Sequence, residues 1–462
     1  VCAFDNEAEG ESMGEPGTGD AACRKDAAPA IGRGEARMRA FAYLTGITIG
    51  LIDGVLAIHV WSAGFAHAIG FFIAALSLPS LLSAILAPSL SEHIGRRIPN
   101  CVGAVTLAAG SLVIASTCAI VVGAGGSGVG VVVAYCIGYA LLGLGYGALW
   151  SLLPRTAHEL SLRGHARLVP RANSLLGVGG GVGIALGFLH GVGPLLPSVT
   201  LVGFSLALLI AASLLPESPA WYASKGREVD AFLALKSLHG ALEASVEIDH
   251  VRLDAEMARE QHPLRLRDVA IPQVRSALAT ALALVCVQEA PLVVAVIVFT
   301  PALLAGVGAD GWMQVTFAAG VVLIALATLT AVSRVGTHRF LRASLGSVGA
   351  VLSSMIGVAV FSVNGEIGPV AMLIVALLMM AAQRIWIYPA CHGAIDPRIP
   401  PWLVTWQRQA VITLNVVART FALILGAVTV FLPGGVALGV YFGLQCIALI
   451  LLLVRLPHEY AE

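Results

Sequence analysis

The sequence predicts an all-α polytopic membrane protein of about twelve transmembrane helices, built as two six-helix halves with a cytosolic helical insert between them. Three observations predict it. Of 462 residues only 12% are charged and 58% are hydrophobic, with a mean hydropathy of +0.88, whereas a soluble domain carries about 25% charge because its surface faces water. The apolar residues come in runs of about 20, the length of helix that crosses a bilayer. Lipid offers no partner to a free backbone N–H or C=O, so such runs are expected as helices. Finally, Lys and Arg fall in alternate connections, as they do when one set of loops stays in the cytosol.

In chain order, residues 1–37 read as a disordered cytosolic segment, rich in Gly, Ala, Glu and Asp and without a cleavable-signal pattern. The spans follow at 39–61, 66–90, 100–122, 130–153, 172–194 and 198–215, and then at 277–300, 312–333, 341–362, 368–390, 402–429 and 435–455. They define an N-terminal half over 38–215 and a C-terminal half over 277–456, with a cytosolic tail at 457–462. Arg96 and Arg97 follow span 2, and Arg155, Arg163, Arg167 and Arg171 follow span 4. Eight further basic residues lie between Lys225 and Arg275, Arg334, Arg339 and Arg342 follow span 8, and Arg398 and Arg408 follow span 10. The connections after spans 1, 3, 5, 7, 9 and 11 hold no Lys or Arg, which places both termini in the cytosol.

The connection 216–276 is the only long one and splits the spans six and six. Within it Ala231, Phe232, Leu233, Leu235 and Leu238 recur at helical spacing among charges, the pattern of short amphipathic helices on the cytosolic face. The halves echo one another. Ser91-Glu92-His93-Ile94-Gly95-Arg96-Arg97 follows span 2, and Ser333-Arg334-Val335-Gly336-Thr337-His338-Arg339 follows span 8. Carriers built from repeated halves hold their solute between them, near the bilayer midplane.

These loops resemble the D-R-x-G-R-R signature of the major facilitator superfamily, with Glu92 and His93 standing for Asp-Arg. Gly95 permits a tight turn, and Arg96 and Arg97 suit helix C-terminal carbonyls or acidic groups. Such contacts would hold one conformation of two rocking halves. More specifically, Pro216-Glu217-Ser218-Pro219-Ala220-Trp221-Tyr222 followed by Ser224-Lys225-Gly226-Arg227 is similar to the P-E-S-P-R-W-L … K-G-R element of the sugar porter family. Leu162-Arg163-Gly164 resembles that family's R-G element, and Gln288-Glu289 with Thr300-Pro301 its helix 7 run. The resemblance implies a major facilitator fold and alternating-access transport of a hexose or similar small polar solute, by uniport or by symport with a proton.

Departures from the family pattern bear on the cargo. The run Leu142-Gly143-Leu144-Gly145-Tyr146-Gly147 lacks the Arg that opens the family's helix 4. Glu289 replaces the second Gln of helix 7, and Val294 its sugar-contacting Asn. The helix 10 G-P-x-P-W element is absent, although Trp386 and Pro389 lie there, and Asp53 is shifted by one position from the helix 1 signature.

The ionisable residues inside spans are Asp53, Glu289, Arg384 and Arg419. A charge at mid-bilayer costs about 2.5–3.5 kcal/mol on insertion scales, so each is expected to face the interior or water. Gln288, Glu289, Gln383, Arg384, Trp386 and Asn415 are the candidate lining of a solute cavity. Asp53 and Glu289 are candidate proton carriers, with Arg419 a charge partner that holds helices together. Glu92, Gly95, Arg96, Arg97, Arg163, Gly164, Glu217, Arg334, Gly336 and Arg339 form candidate cytosolic gate motifs.

The glycines at 177, 179, 180, 181, 183 and 187 of span 5 suit close helix packing, or sliding during transport. His59 and His67 flank the outer ends of spans 1 and 2 as interfacial histidines do. The eight cysteines fit neither a zinc site nor a disulfide framework, and no cofactor or metal is expected. Net charge is zero and no basic patch suggests nucleic acid, so the expected partners are the lipid bilayer and a small polar solute. Glycines 123–128 have no Lys partner for a nucleotide loop, and no nucleophile–base set stands out, so an enzyme is not expected. Two further readings share the fold: a carrier of an organic ion or another metabolite, and a non-transporting sensor or structural subunit.

Overall fold

The computed structural model describes residues 33–61, 68–125, 128–160, 165–189, 194–260, 269–289, 293–306, 311–333, 339–363, 368–391, 401–430 and 434–455. Among them there is no strand. Six long helices come first: α1 Arg33–Trp61, α2 Ile69–Ile94, α3 Arg97–Ala124, α4 Val129–Leu160, α5 His165–Leu189 and α6 Leu195–Ser213. Three shorter ones follow: α7 Pro219–Ser224, α8 Glu228–His239 and α9 Ala241–Glu260. The second set comprises α10 Pro272–Glu289, α11 Val293–Gly306, α12 Gly311–Ser333, α13 Arg339–Val363, α14 Gly368–Ala381, α15 Tyr388–Cys391, α16 Pro401–Val430 and α17 Gly434–Arg455.

Every expected span is occupied by helix, with instructive differences. Among the described residues nine stretches are long and apolar enough to cross a membrane. Helix α5 is not among them, and α13 and α17 contribute shorter apolar stretches, Ala343–Ser353 and Phe442–Leu451. The span expected over 277–300 is described as α10 and α11, with residues 290–292 between them outside the described residues. Helix α1 begins at Arg33, within the segment expected to be disordered. An Arg39–Glu35 pair at 2.5 Å, one turn apart, supports that turn, and Met38 and Phe41 are buried.

Lipid exposure explains the surface. Along α2 the residues Phe71, Leu78, Leu82, Ile85 and Leu86 are exposed, while Phe72, Ile73, Leu76, Ser77, Ser80 and Ala84 are buried. Its greasy face therefore looks outward and its small, hydroxylated face inward. In water that pattern would be inverted; in a bilayer it is the stable arrangement.

The packing repeats itself. In the first six helices α1 meets α5 and α6, α2 meets α4, and α3 meets α4 and α6. Adding six spans to each gives contacts that are also present: α10 and α11 with α16, α10 with α17, α12 with α14, and α13 with α14 and α17. The halves meet through α5 with α12, α2 with α16, and α1 with α11. The α5–α12 and α2–α16 contacts exchange under the same six-span shift, as a pseudo-two-fold axis between the halves requires.

Glycine permits the closest approaches. A Cβ added at Gly147 of α4 would lie 1.9 Å from the Ser80 carbonyl oxygen of α2, and one at Gly143 would lie 2.2 Å from that of Leu76. Helix α5 uses two such faces. Gly179 is packed on the Ile47 carbonyl of α1, and Gly181 on Ala318 and Val322 of α12. Small residues four apart let helix backbones touch in lipid, where no hydrophobic force drives them together.

Between the sets, Ser218 caps α7 by accepting from the Trp221 N–H at 3.2 Å, with Pro219 at the first helical position. Ala231, Leu235 and Leu238 form the buried stripe of α8, while Leu233 is exposed. Leu238 packs against Gly34 at the start of α1, which ties the insert to the first half.

Candidate functional site

The interior charges gather where the halves meet. Asp53 of α1 is buried, and its Oδ2 accepts from Nη2 of Arg419 on α16 in an ion pair whose side chains are 4% and 13% exposed. The Arg419 guanidinium also lies over the Tyr146 ring of α4, 5.0 Å from its centre. Burial is possible because each charge has a partner and the ring face attracts the cation. Ile49, Ile52, Leu76, Ser77, Ser80, Tyr146, Thr420 and Leu423 complete the wall around the pair. They enclose about 10 Å³, the room of about one water-sized probe.

The second pair of charges lies beside the first. Helix α14 runs into a π-helical turn, Ala382–Ile387, before α15. Pro389 supplies the cause: it has no N–H for the Ile385 carbonyl, and the Tyr388 N–H bonds back to the Gln383 carbonyl instead. The widened turn carries three expected site residues. Gln383 is buried and its Nε2 donates to the Gln288 carbonyl at the end of α10, at 2.5 Å. Nη1 of Arg384 donates to Asn173 Oδ1 of α5 at 2.9 Å, crossing to the other half, and its guanidinium lies 5.8 Å from the Tyr388 ring centre. Glu289, half-buried at the end of α10, is in electrostatic reach of both Arg384 and Arg419.

The remaining expected lining residues behave differently. Trp386 is exposed, and its Cβ lies against Gly346 of α13. Two residues on from Arg384 it points to the outer side of the helix, which removes it from the cluster. Asn415 is half-buried and donates from Nδ2 to the Val411 carbonyl of its own helix at 2.9 Å.

The gate motifs form a second site, at the end of the first half where α2 meets α3 and α6 meets α7. The Glu217 carboxylate accepts from the Arg96 N–H at 2.6 Å, the Arg97 N–H at 3.3 Å and the Ser218 N–H at 3.0 Å. It thus sits on the N-terminus of α3, where free donors and the helix dipole favour an anion. Gly95 is required twice over: its φ is 94°, and a Cβ would fall 2.3 Å from Glu217 Oε2. The Arg96 side chain donates to Glu159 of α4 at 2.9 Å and to Ser91 at 2.9 Å. Nη2 of Arg97 donates to the Ser213 carbonyl at the end of α6 at 2.8 Å. Arg155 bridges Glu159 at 3.0 Å and Glu92 at 2.9 Å, and Trp221 Nε1 donates to the Glu92 carbonyl at 3.1 Å.

These bonds join α2, α3, α4, α6 and α7, all on one side of the seam. Among the described residues the network ties these five helices of the first half to one another. Arg163, Gly164, Arg334 and Gly336 lie outside the described residues, as does the side chain of Arg339.

Sequence reasoning missed several participants. Glu159 organises the gate network, and an acid four residues after Arg155 was its signal. Asn173, Tyr146, Ser77 and Ser80 carry no charge and looked like ordinary span residues. His59, expected at the interface, is fully buried in the first half. Its Nδ1 is 2.5 Å from the Tyr139 hydroxyl and its Nε2 3.3 Å from Cys118 Sγ, partners that a buried imidazole requires.

Comparison with known proteins agrees with the architecture. Residues 62–395 match the profile of the family described as sugar (and other) transporter. YwtG of Bacillus subtilis, named as a metabolite transport protein, is 25% identical over 326 residues, 68% of this chain and 66% of that protein. IolT of the same organism, named as its major myo-inositol transporter, is 27% identical over 199 residues, 42% of this chain and 38% of that one. The chain therefore spans less than two thirds of the length of either relative. In structure it is similar to the xylose transporter XylE from E. coli in a partially occluded inward-open conformation, with a TM-score of 0.67, 16% identity and coverage of 92% and 98% of the two chains. The human organic anion transporter MFSD10 follows at a TM-score of 0.53 and 16% identity, covering 90% of this chain and 98% of that one. At those identities the likeness reports fold. The profile spans most of the chain and the helices repeat in two sets of six, so this multi-pass membrane protein belongs to the sugar (and other) transporter family.

Proposed function

We propose that the chain is an alternating-access carrier that moves a hexose or similar small polar solute across the membrane together with a proton. The observation that carries the reading is the charge cluster at the seam between the halves, Asp53 with Arg419 and Arg384 with Asn173. Interior charges are costly in lipid and mark solute or proton paths. The wall around Asp53 includes Ser77, Ser80, Tyr146, Arg419 and Thr420. That polarity favours transport over a non-transporting subunit, whose seam could be filled by Val, Leu and Ala. Family membership supports the same reading.

In this conformation the wall encloses about 10 Å³, far less than a hexose needs, so loading requires the halves to part. Parting them breaks the Asp53–Arg419 pair. A proton on Asp53 removes the charge that holds the guanidinium and thereby favours opening, which couples the proton to the cycle. Gln288, Glu289, Gln383, Arg384 and Asn415 line the solute path on this reading, with both termini and the Glu217–Arg96 network on the cytosolic side.

The test is uptake into proteoliposomes of labelled glucose, fructose, myo-inositol and a panel of organic ions, with and without an inward proton gradient. Saturable uptake raised by the gradient is expected, and Asp53→Asn or Glu289→Gln should abolish the rise while leaving exchange of solute across the membrane. No uptake of any solute by folded protein would overturn the carrier reading.

A further inference from the structure

The two interior arginines are not equivalent. Arg419 is occupied by Asp53 and by the Tyr146 ring. Among the described residues Arg384 makes one hydrogen bond, to the neutral oxygen of Asn173, and no carboxylate lies within 4.0 Å of its guanidinium. Glu289 balances it only at longer range. A guanidinium has five N–H donors in a planar fork, and the group that fits the fork in two parallel bonds is a carboxylate. Arg384 sits on the π-helical turn and reaches across to α5, so it faces the seam that a carrier opens to its solute.

We infer, on the carrier reading above, that the solute bears a carboxylate and that Arg384 is the residue that binds it. Arg384 does not line the cavity around Asp53 but is in electrostatic reach of Asp53, so that neighbouring cavity describes the rest of the molecule. The hydroxyls of Ser77 and Ser80 face the cavity beside Asp53, and both oxygens are buried without a described protein partner. Thr420 adds a third hydroxyl. Alcohols of this kind suit a hydroxylated body, and a hydroxylated monocarboxylate, such as an aldonic or uronic acid, satisfies both walls at once. A neutral hexose offers Arg384 only neutral acceptors, which lack the charge and the paired oxygens that the guanidinium fork fits.

Charge then sets the stoichiometry. Asp53 and Glu289 carry two negative charges, and Arg384 and Arg419 carry two positive ones. The other titratable groups facing them, Tyr146 from α4 and Tyr388 from α15, are neutral phenols in the working pH range. A bound monocarboxylate makes the cluster −1. One proton taken up by either acid restores neutrality, so each monoanion should travel with one proton and no net charge.

The experiment uses the full chain in proteoliposomes with labelled gluconate, glucuronate and glucose, at clamped membrane potential, with external pH stepped from 7.5 to about 5.5. Saturable uptake of a hydroxy acid is expected, rising on the acid side and insensitive to potential. Arg384→Gln should raise KM for the acid roughly tenfold to a hundredfold, while Arg384→Lys, which keeps the charge but not the fork, should fall between. Saturable glucose uptake that excess hydroxy acid does not inhibit would overturn the inference and leave the carrier reading standing. If nothing is transported, the carrier reading fails, and binding decides the rest: a calorimetric signal for gluconate in the wild type that Arg384→Gln removes upholds the anchor. No binding overturns it.

Discussion

Replacing Arg419 by Gln leaves the Asp53 carboxylate buried at 4% exposure without its ionic partner. Removing one member of a buried pair costs about 3–5 kcal/mol, since the remaining charge keeps its desolvation penalty and loses its attraction. Arg384 stays in electrostatic reach of Asp53, so the low end, about 3 kcal/mol, is expected. The lost contact between the guanidinium and the Tyr146 ring adds about 0.5–1 kcal/mol. Asp53→Asn strands the guanidinium instead and should also cost about 3 kcal/mol. The double variant removes both charges together, so it should cost about 1–2 kcal/mol rather than the summed 6–7, because a neutral amide pair of similar shape needs little desolvation. Equilibrium unfolding of the purified protein in mixed detergent–lipid micelles gives the four free energies. A coupling energy of about 5 kcal/mol would establish the bond across the seam, whereas additivity within about 0.5 kcal/mol would refute the reasoning.

Three further substitutions probe the scaffold. Gly147→Ala places a Cβ 1.9 Å from the Ser80 carbonyl oxygen, and should force α4 from α2 at a cost of about 1–3 kcal/mol; Gly203→Ala, which meets nothing within 4 Å, is the control in the same unfolding assay. Glu217→Gln weakens the cap on α3 and should lose about 1–2 kcal/mol, and Gly95→Ala should lose more, because it adds a strained φ to the collision with Glu217; thermal unfolding ranks the two. Gly181→Leu wedges α5 from Ala318 and Val322 of α12, and should hold the halves apart. Thiol labelling of a Ser77→Cys reporter should then rise severalfold, and unchanged labelling would show that the seam does not open there.

How much of this was legible in the sequence follows from the reach of each signal. Span positions rest on composition over windows of about 20 residues, and helix occupies each of them. The echo between Gly95-Arg96-Arg97 and Gly336-Thr337-His338-Arg339 pointed to a duplication, and the six-span shift in helix contacts is its structural counterpart. Partner choice was not legible. Nothing in the neighbourhood of Asp53 reveals that the cation beside it comes from a helix 366 residues away. Nor does the sequence separate Trp386 from Arg384, since both lie in one short turn whose orientation depends on Pro389 and the π-helical geometry. Neutral members such as Asn173 and Ser80 become visible only when the helices are packed.

The origin of the cation beside Asp53 has a mechanical consequence. The glycine run of span 4 lacks the Arg expected from the family pattern, yet the Tyr146 ring in that run carries a guanidinium, supplied by Arg419 from the other half. Were the cation on α4, an ion pair with Asp53 would lie inside the first half, and protonating Asp53 would loosen contacts within that half alone. With the cation on α16 the pair crosses the seam, so losing the charge on Asp53 acts directly on the contact that must break for the halves to part. The rest of that seam is apolar packing. Where α5 meets α12, Gly177 and Gly181 bring the helices close, and Ile184 packs among Phe317, Ala318 and Val321. Arg419 to Asp53 and Arg384 to Asn173 are the polar side-chain bonds described across it, so they are the contacts through which a proton or an anion can shift the open and closed populations. On the proposed cycle the proton releases the first of these bonds, which lets the halves part for loading, and the bound solute competes with Asn173 for the second.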